Sequence, residues 1–522
     1  MYLNFSDAAK FADVARNIVN GLGYGSEFSF WPGNIANFLN TKLFSAINIS
    51  PVMPYSIAAF FKIFGVNDFA VIATSFFYFI LTLVFTFLLA RKIWKSNLVG
   101  VLSTLAVGFN YDLINYATSG ASESPFIFEI VAGAYFISLK KKWANIVATI
   151  FLILLYFTRP LGFIYIAGLS FYFLLINFKL KNALAYFVLV LIAGFLVDHF
   201  ILLPLSGRYF LYSIIGRGIG SSFNQSGVAS DALRGAVSSG GGIAQTLKNI
   251  FYNLYNFYKL LPQIMSPYLF ALFAVGLFVR SKDNTEKSFK LSTLFMLLTT
   301  LIVTAASIPF FRYIHPVVPL VYILATGTLM EIINKFQITS SKQITIFKLQ
   351  VTKQTLLVLG SCLLVLFFGV GQTVGVLILD SRFQASTHNV GEPPVYVRLA
   401  EILKTNTLPN QVVITNLDTW GSWYGDRKTI WFPLEPKQII DPSTGKIPFD
   451  AIYLTSYLID DPNYYMGSDW RDIFNNPKDP TKWTCDGCFE ISEEFSLKGV
   501  YSVSAGSDYE RQDAKAILLI HK

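Results

Sequence analysis

Long runs of apolar residues, separated by short polar stretches, recur along the first 380 positions of the chain. Several of these runs approach the roughly 20 residues that an α-helix needs to cross the hydrocarbon core of a bilayer. The pattern predicts ten membrane-spanning helices, at 69–90, 97–114, 125–139, 143–158, 160–178, 183–204, 267–280, 289–308, 316–333 and 355–379. Residues 69–380 are therefore expected to form a polytopic α-helical membrane domain.

The composition fits a membrane protein. Of the 522 residues, 53% are hydrophobic and 14% are charged, whereas soluble domains carry about 25% charged residues. An ordinary soluble enzyme is therefore excluded, and three cysteines are too few for a disulfide-framework protein. The net charge of +9 would suggest nucleic acid for a soluble protein, but in a membrane protein the location of positive charges matters more than their sum. We expect no nucleic-acid partner.

The basic residues are divided unevenly between the two alternating sets of connections. In one set of short connections, Arg159 and Arg312 stand alone. The other set contains Arg91, Lys92, Lys95, Lys140, Lys141, Lys142, Lys179, Lys181, Arg280, Lys282, Lys287, Lys290, Lys335, Lys342, Lys348 and Lys353. Positively charged loops stay on the cytoplasmic side, which places the lysine-rich set in the cytoplasm. The other loops and both ends then face outward, across what we expect to be the plasma membrane of a prokaryote.

Three regions on the predicted outer side are large enough to do chemistry. Residues 1–68 form an aromatic-rich first loop with amphipathic helices, and residues 205–266 form a large loop rich in Gly, Ser and Tyr. Residues 385–522 have a different composition, with strand-like runs at 411–416, 451–458 and 516–521 after a helix-like run at 394–404. These runs predict a small extracytoplasmic α/β domain.

Two further features concern the outer regions. Residues 1–68 contain no apolar run able to cross a membrane and no cleavable signal peptide, so we expect a membrane helix upstream that the reading frame lacks.

In the outer domain, Cys485 and Cys488 form a short TCDGC motif that favours a disulfide in an oxidising compartment. The tryptophans of that domain could bind sugar or simply pack; they include Trp420, Trp423 and Trp431.

Few charged residues lie near the predicted outer boundary, and each has a structural and a functional interpretation. Asp7 and Asp13 fit an interfacial amphipathic helix with a solvated acidic face, or an acidic site. Glu123 suits the positive N-terminus of the following helix, or a catalytic role. Arg159 and Arg312 fit interfacial snorkelling, but their isolation on the outer side favours anion binding.

No nucleotide-binding loop, zinc-protease motif or serine-hydrolase motif is present, which leaves transport driven by nucleotides and hydrolase chemistry without support. In order and spacing, however, the membrane half resembles the GT-C superfamily of glycosyltransferases, specifically the branch of protein O-mannosyltransferases and aminoarabinose transferases. That branch opens its first outer loop with Asp-Glu, then Tyr-Ala-x-x-Ala-Arg and a Gly-rich turn. The corresponding residues here are Asp7, Ala8 in place of Glu, Phe11, Ala12, Ala15, Arg16, Gly21 and Gly23.

Three later motifs continue the resemblance. An acid shortly before a proline is matched by Glu123 and Pro125. The Thr-Arg-Pro-x-Gly hairpin and the late Arg-Tyr-x-x-Pro-x-x-Pro motif are matched by Thr158, Arg159, Pro160, Gly162, Arg312, Tyr313, Pro316 and Pro319, with His315 at a position that is usually aliphatic. The family has a helix before the first acidic loop, in agreement with the missing helix expected above.

The resemblance implies transfer of a sugar from a polyprenyl-phosphate donor to a protein, lipid or glycan acceptor at the outer face, with inversion. Asp7 would be the base, and Glu123 would position the acceptor or assist through a divalent metal. Arg159 and Arg312, with Arg208 as a weaker candidate, would bind the donor phosphate. The alternatives are a polymerase or ligase of lipid-linked polysaccharide and a transporter of lipid or solute without chemistry.

Overall fold

The computed structural model describes residues 2–31, 42–46, 49–177, 180–206, 243–306, 309–337, 344–346, 349–351, 360, 367, 393–433, 435–457, 459, 466–504 and 513–522. Almost all of the predicted helix 355–379, most of the loop 205–266 and the candidate Arg208 lie outside the described residues.

Helices make up the membrane half. Those before residue 207 are α1 Ser6–Val19, α2 Val52–Phe64, α3 Asp68–Trp94, α4 Asn97–Gly108, α5 Tyr111–Ser119, α6 Glu123–Ser138, α7 Lys142–Thr158, α8 Gly162–Asn177, α9 Leu180–Val197 and α10 Leu203–Ser206. Those that follow are α11 Ile243–Lys259, α12 Leu261–Ile264, α13 Pro267–Phe278, α14 Asn284–Ala306 and α15 Val318–Gln337. Nine of the ten predicted spans thus coincide with helical segments of the described chain.

Several of these helices have the length and composition of membrane spans. Among the described residues, α3, α14 and the segment Phe311–Ile333, which contains most of α15, are long and apolar enough to cross. Helices α4 and α5 are bent by 64° and form a fourth span if taken together. Helices α2, α7, α8 and α13 are apolar but shorter. The prediction of a polytopic α-helical membrane protein with a C-terminal α/β domain is confirmed.

Polar caps set where three of these helices begin. The side-chain oxygens of Asn67, Ser96 and Asn110 accept hydrogen bonds from the first turns of α3, α4 and α5. Such caps satisfy backbone N–H groups that have no partner inside the helix. The helices then pack around one apolar core, in which α3 contacts α4, α5 and α6, while α6 contacts α7 and α8.

Two of the lysine-rich connections meet at one end of this bundle. Lys95 forms an ion pair with Asp283 at 2.8 Å, although the two residues belong to different connections. Nearby, the ammonium groups of Lys282 and Lys290 lie 5.9 and 5.7 Å from the ring centre of Trp94, the last residue of α3. These two connections, both predicted to be cytoplasmic, therefore lie on one surface.

A six-stranded sheet forms the centre of the outer domain. In chain order, its strands are β2 Phe28–Ser29, β6 Val412–Thr415, β7 Lys428–Trp431, β8 Ala451–Thr455, β9 Phe495–Val503 and β10 Ala514–His521. Two separate two-stranded sheets are formed by β1 Gly25–Ser26 with β3 Phe44–Ser45, and by β4 Ile344–Ile346 with β5 Leu349–Val351. The spatial order is β2-β7-β6-β8-β10-β9, with the first four strands parallel. Strand β2 comes from the first loop, so that loop forms one edge of the sheet.

Helices complete the outer domain and join it to the first loop. They are α16 Val395–Asn406, α17 Trp420–Trp423, α18 Ser468–Asn475 and α19 Cys488–Glu494. One apolar core includes residues of α1, α2, α16 and α17. The three tryptophans pack rather than face solvent; Trp420 stacks on Tyr396 at 4.6 Å and Trp423 on Phe61 at 6.0 Å. A disulfide joins Cys485 and Cys488.

Candidate functional site

Helix α1 carries Asp7 in its first turn and is fixed to the outer domain by a buried ion-pair network. Asp13 is fully buried, in contrast to the solvated acidic face that the sequence suggested, and its carboxylate lies 2.8 Å from Arg16. Ser26 and the backbone N–H of Glu27 donate to the other oxygen of Asp13. Arg16 also contacts Glu27 at 2.6 Å and donates to the carbonyl of Ser422 in α17. The network therefore sets the orientation of α1.

The residues just before Asp7 are held by the outer domain as well. The hydroxyl of Thr419 donates to the carbonyl of Ser6 at 2.7 Å, and the indole of Trp420 donates to the carbonyl of Leu3 at 3.3 Å. The backbone N–H of Leu3 donates to the hydroxyl of Tyr424 at 2.7 Å. The segment that leads into α1 is thus held at three points by residues in and beside α17.

Asp7 forms an ion pair with Arg312. Nη1 of Arg312 lies 3.1 Å from Oδ2 of Asp7, and both side chains are about a third exposed. Burial alone would raise the pKa of Asp7, but the positive charges of Arg312, Lys10 and Arg159 outweigh it and lower the pKa to about 2. Asp7 is therefore a carboxylate at any physiological pH.

Glu123 and Arg159 form a second ion pair. Glu123 begins α6 and is 1% exposed, and Arg159 directly follows α7. Arg159 also donates to the hydroxyl of Ser122 at 3.2 Å. The partner of Arg159 is therefore an acid of the chain itself. Nearly two turns further along α6, the buried Glu129 accepts a hydrogen bond from the hydroxyl of Thr158 at 2.8 Å, which is a structural role.

The ring of Tyr313 brings the two ion pairs together. The guanidinium carbons of Arg159 and Arg312 lie 5.6 and 5.4 Å from its centre. The Arg312 Nε–H group is buried and has no hydrogen-bond partner among the described residues. Four of the five predicted site residues, Asp7, Glu123, Arg159 and Arg312, thus form one cluster, at the end of the bundle where α3 begins and opposite its lysine-rich end.

Three residues beside this cluster were not predicted. His315 is buried between α5 and α15; its Nδ1 lies 2.5 Å from the hydroxyl of Tyr116, and its Nε2 lies 3.5 Å from Oδ2 of Asp112. The proximity of Arg312 and His315 in the sequence was the one available signal. Asp112 and Tyr116 gave none, because an acid in the first turn of a helix and a tyrosine near a membrane boundary are both common.

The described residues do not fit a bound metal. No group of three or more His, Cys, Asp and Glu side chains in the described part of the chain is placed to hold an ion. Asp7 and Glu123 each face an arginine. The cluster instead offers two guanidinium groups that could bind an anion. When no anion is bound, each guanidinium group pairs with a carboxylate.

Comparison with known proteins adds to this geometry. No family model matches the chain. A protein of Aquifex aeolicus (strain VF5), described only as uncharacterised, is 30% identical over 176 residues, which cover 30% of this chain and 35% of the relative. The chain therefore spans about a third of the length of that curated relative.

Two solved structures share the overall fold. ArnT from Cupriavidus metallidurans, crystallised with undecaprenyl phosphate, matches with a TM-score of 0.53 and 10% identity over 98% of this chain and 93% of that chain. The Archaeoglobus fulgidus oligosaccharyltransferase, crystallised with zinc and sulfate, matches with a TM-score of 0.54 and 13% identity over 95% of this chain and 68% of that chain. The chain therefore shares its overall fold with these two proteins.

Proposed function

We propose that the protein is an integral membrane glycosyltransferase that moves a sugar from a polyprenyl-phosphate donor to an acceptor hydroxyl on a protein, lipid or glycan at the extracytoplasmic face. One observation carries the proposal. Two arginine–carboxylate pairs from four distant parts of the chain converge on Tyr313, at the end of the bundle opposite the lysine-rich connections. The fold shared with ArnT bound to undecaprenyl phosphate supports the class of donor.

The arginines suit the departure of the lipid phosphate. When the bond from the sugar to the phosphate breaks, the phosphate gains one negative charge, and fixed cations lower the energy of that transition state. Arg159 and Arg312 flank the same tyrosine ring, and the free Nε–H of Arg312 is an additional donor. A phosphate between them would receive hydrogen bonds from two guanidinium groups.

Asp7 suits the role of base once the donor is bound. A general base works best when its pKa lies near the operating pH, whereas the surrounding positive charges keep that of Asp7 at about 2. A phosphate that binds Arg312 would draw this cation from Asp7, and the pKa of the carboxyl would rise because part of the opposing charge is neutralised. Donor binding would thereby activate the base that accepts the proton of the acceptor hydroxyl.

Glu123 suits a positioning role. It is buried, its Oε1 is paired with Arg159, and its Oε2 has no hydrogen-bond partner among the described residues. The carboxylate would hold Arg159 toward the phosphate and orient the acceptor. Attack of the acceptor from the side opposite the phosphate would invert the anomeric carbon.

The test is transfer in vitro from radiolabelled polyprenyl-phosphate sugars by purified protein in nanodiscs. Wild type should form a glycosidic bond, and Asp7→Asn and Glu123→Gln should lower kcat at least 100-fold. Asp486→Asn is a matched control, since Asp486 is 76% exposed on the outer domain. A protein that moves the lipid across the bilayer without forming product would be a transporter, and full activity of Asp7→Asn would refute the base assignment.

A further inference from the structure

His315 joins two side chains that neither the sequence motifs nor the proposed mechanism uses. Its Nδ1 faces the hydroxyl of Tyr116, and its Nε2 faces both Oδ2 of Asp112 and the backbone carbonyl of Gln263, at 3.5 and 3.4 Å. A carboxylate and a carbonyl can only accept hydrogen bonds, so Nε2 carries a hydrogen. The neutral ring then has its lone pair on Nδ1, directed at the Tyr116 hydroxyl.

The charge of the ring therefore sets the direction of the Tyr116 hydroxyl hydrogen. With a neutral ring, Nδ1 accepts, and the hydroxyl hydrogen points at His315. With a protonated ring, Nδ1 becomes a donor to the Tyr116 oxygen, and the hydroxyl hydrogen must turn to another acceptor. Asp112, whose side chain is 28% exposed, stabilises the protonated ring and connects it to solvent.

Charged residues of the site face this group from the elements packed around it. Helix α6, which begins at Glu123, packs against α5 and against the turn His315–Val317. That turn in turn packs against Phe311–Tyr313, which contains Arg312. The ring of His315 lies 5.5 Å from that of Tyr116 and three positions after Arg312 in the chain. The group therefore adjoins the residues of the proposed phosphate site.

We propose that Asp112, His315 and Tyr116 form a hydrogen-bond relay that offers the Tyr116 hydroxyl to the departing phosphate when His315 is protonated. This inference rests on the proposed function. The bond from the anomeric carbon to the phosphate oxygen breaks, and its electron pair goes to the phosphate. The bond to the acceptor oxygen forms, and the acceptor proton goes to Asp7. Tyr116 keeps its proton and donates a hydrogen bond to the new charge.

The relay predicts how the transfer rate depends on pH. The wild-type kcat should fall as pH rises through the pKa of His315, because the neutral ring draws the Tyr116 hydrogen back. Tyr116→Phe and His315→Asn should each lower kcat at least 10-fold, remove this alkaline fall, and leave the KM of the donor within about twofold. Asp112→Asn should shift the fall to lower pH, because the imidazolium loses its negative neighbour.

Matched controls separate this role from a structural one. Tyr258→Phe changes a tyrosine that is 76% exposed and should keep the wild-type rate and pH profile. If His315→Asn unfolds the protein, the other two variants still test the relay. Tyr116→Phe keeps the imidazole of His315, and Asp112→Asn keeps the hydroxyl of Tyr116. A wild-type pH profile in Asp112→Asn, or a wild-type kcat in Tyr116→Phe, would overturn the relay.

A second readout does not need turnover. The protein has four histidines, and labelling with ¹⁵N-histidine makes their ring nitrogens visible by NMR. The signals of His315 are those that disappear in His315→Asn. The relay predicts that Nε2 is protonated in the neutral ring and that Asp112→Asn lowers the titration midpoint of His315. A neutral ring protonated on Nδ1, or an unchanged midpoint, would overturn the relay even if no transfer is found. Absence of transfer by wild type with this NMR result would instead refute the proposed function.

Discussion

Arg312 places Nη1 3.1 Å from Oδ2 of Asp7, across 305 positions of sequence. This contact joins the first turn of α1 to the segment that precedes α15, and so it links the first loop to the late part of the membrane domain. It also means that the proposed base is ion-paired while no donor is bound. Its chemistry then depends on what happens to Arg312.

The first prediction concerns the charge of Asp7. Its folded-state pKa of about 2 is below the ordinary value near 3.9, so the stability that the carboxylate contributes is present above about pH 4 and is lost as pH falls toward 2. In Arg312→Gln, the pKa should rise, because burial opposes the charge and its main cation is gone. Carbodiimide labelling, which modifies protonated carboxyls, should then detect Asp7 at a higher pH than in wild type.

The matched control is Arg398→Gln, which removes a guanidinium that donates to the carbonyl of Ser504 in the outer domain. It should leave the labelling of Asp7 unchanged. If Arg312→Gln and wild type are labelled at Asp7 over the same pH range, the ion pair does not control this carboxyl.

The second prediction concerns the network that orients α1. In Arg16→Gln, the buried carboxylate of Asp13 loses its cation while two hydrogen bonds remain, and we expect a loss of about 3 kcal/mol in the free energy of unfolding. Thermal unfolding of the purified protein measures this loss. Lys404→Gln is the control; Lys404 pairs with Asp426 at 3.5 Å, and both are about half exposed, so the loss should stay below about 1 kcal/mol. If the two variants lose the same free energy of unfolding, the buried network does not stabilise the position of α1.

The third prediction concerns the outer domain and the side on which it lies. Disulfides persist in oxidising compartments, and Cys485 and Cys488 are bridged. In intact cells, a membrane-impermeant maleimide should therefore label the two cysteines only after reduction. Labelling that requires permeabilised cells would place the domain in the cytoplasm and contradict the orientation deduced from the basic residues.

Sequence patterns predicted the helices well, since the apolar runs are long and the longest of them have the length that a bilayer requires. They also predicted strands β6, β8 and β10, whose residues are mostly buried. Strand β2 was not predicted, because it has two residues, too few to show a periodicity. Strand β9 was not predicted either, although its exposed and half-buried residues alternate, a pattern typical of a strand with one face toward solvent.

For the candidate site, single residues could be predicted from the sequence but their contacts could not. Asp7, Glu123, Arg159 and Arg312 could be chosen one by one, because each is an isolated charge near a predicted boundary. Their pairing could not, since it depends on how α1, α6, α7 and α15 pack. The burial of Asp13 and the positions of Asp112 and Tyr116 around His315 depend on tertiary contacts in the same way.

The central claim is that the donor phosphate binds between Arg159 and Arg312. Native mass spectrometry of the purified protein with a polyprenyl monophosphate measures this directly, over a range of lipid concentrations. We predict one bound lipid on wild type and on Arg398→Gln, and at least 10-fold weaker binding on Arg159→Gln and on Arg312→Gln. Undiminished binding by both of the latter variants would contradict the account.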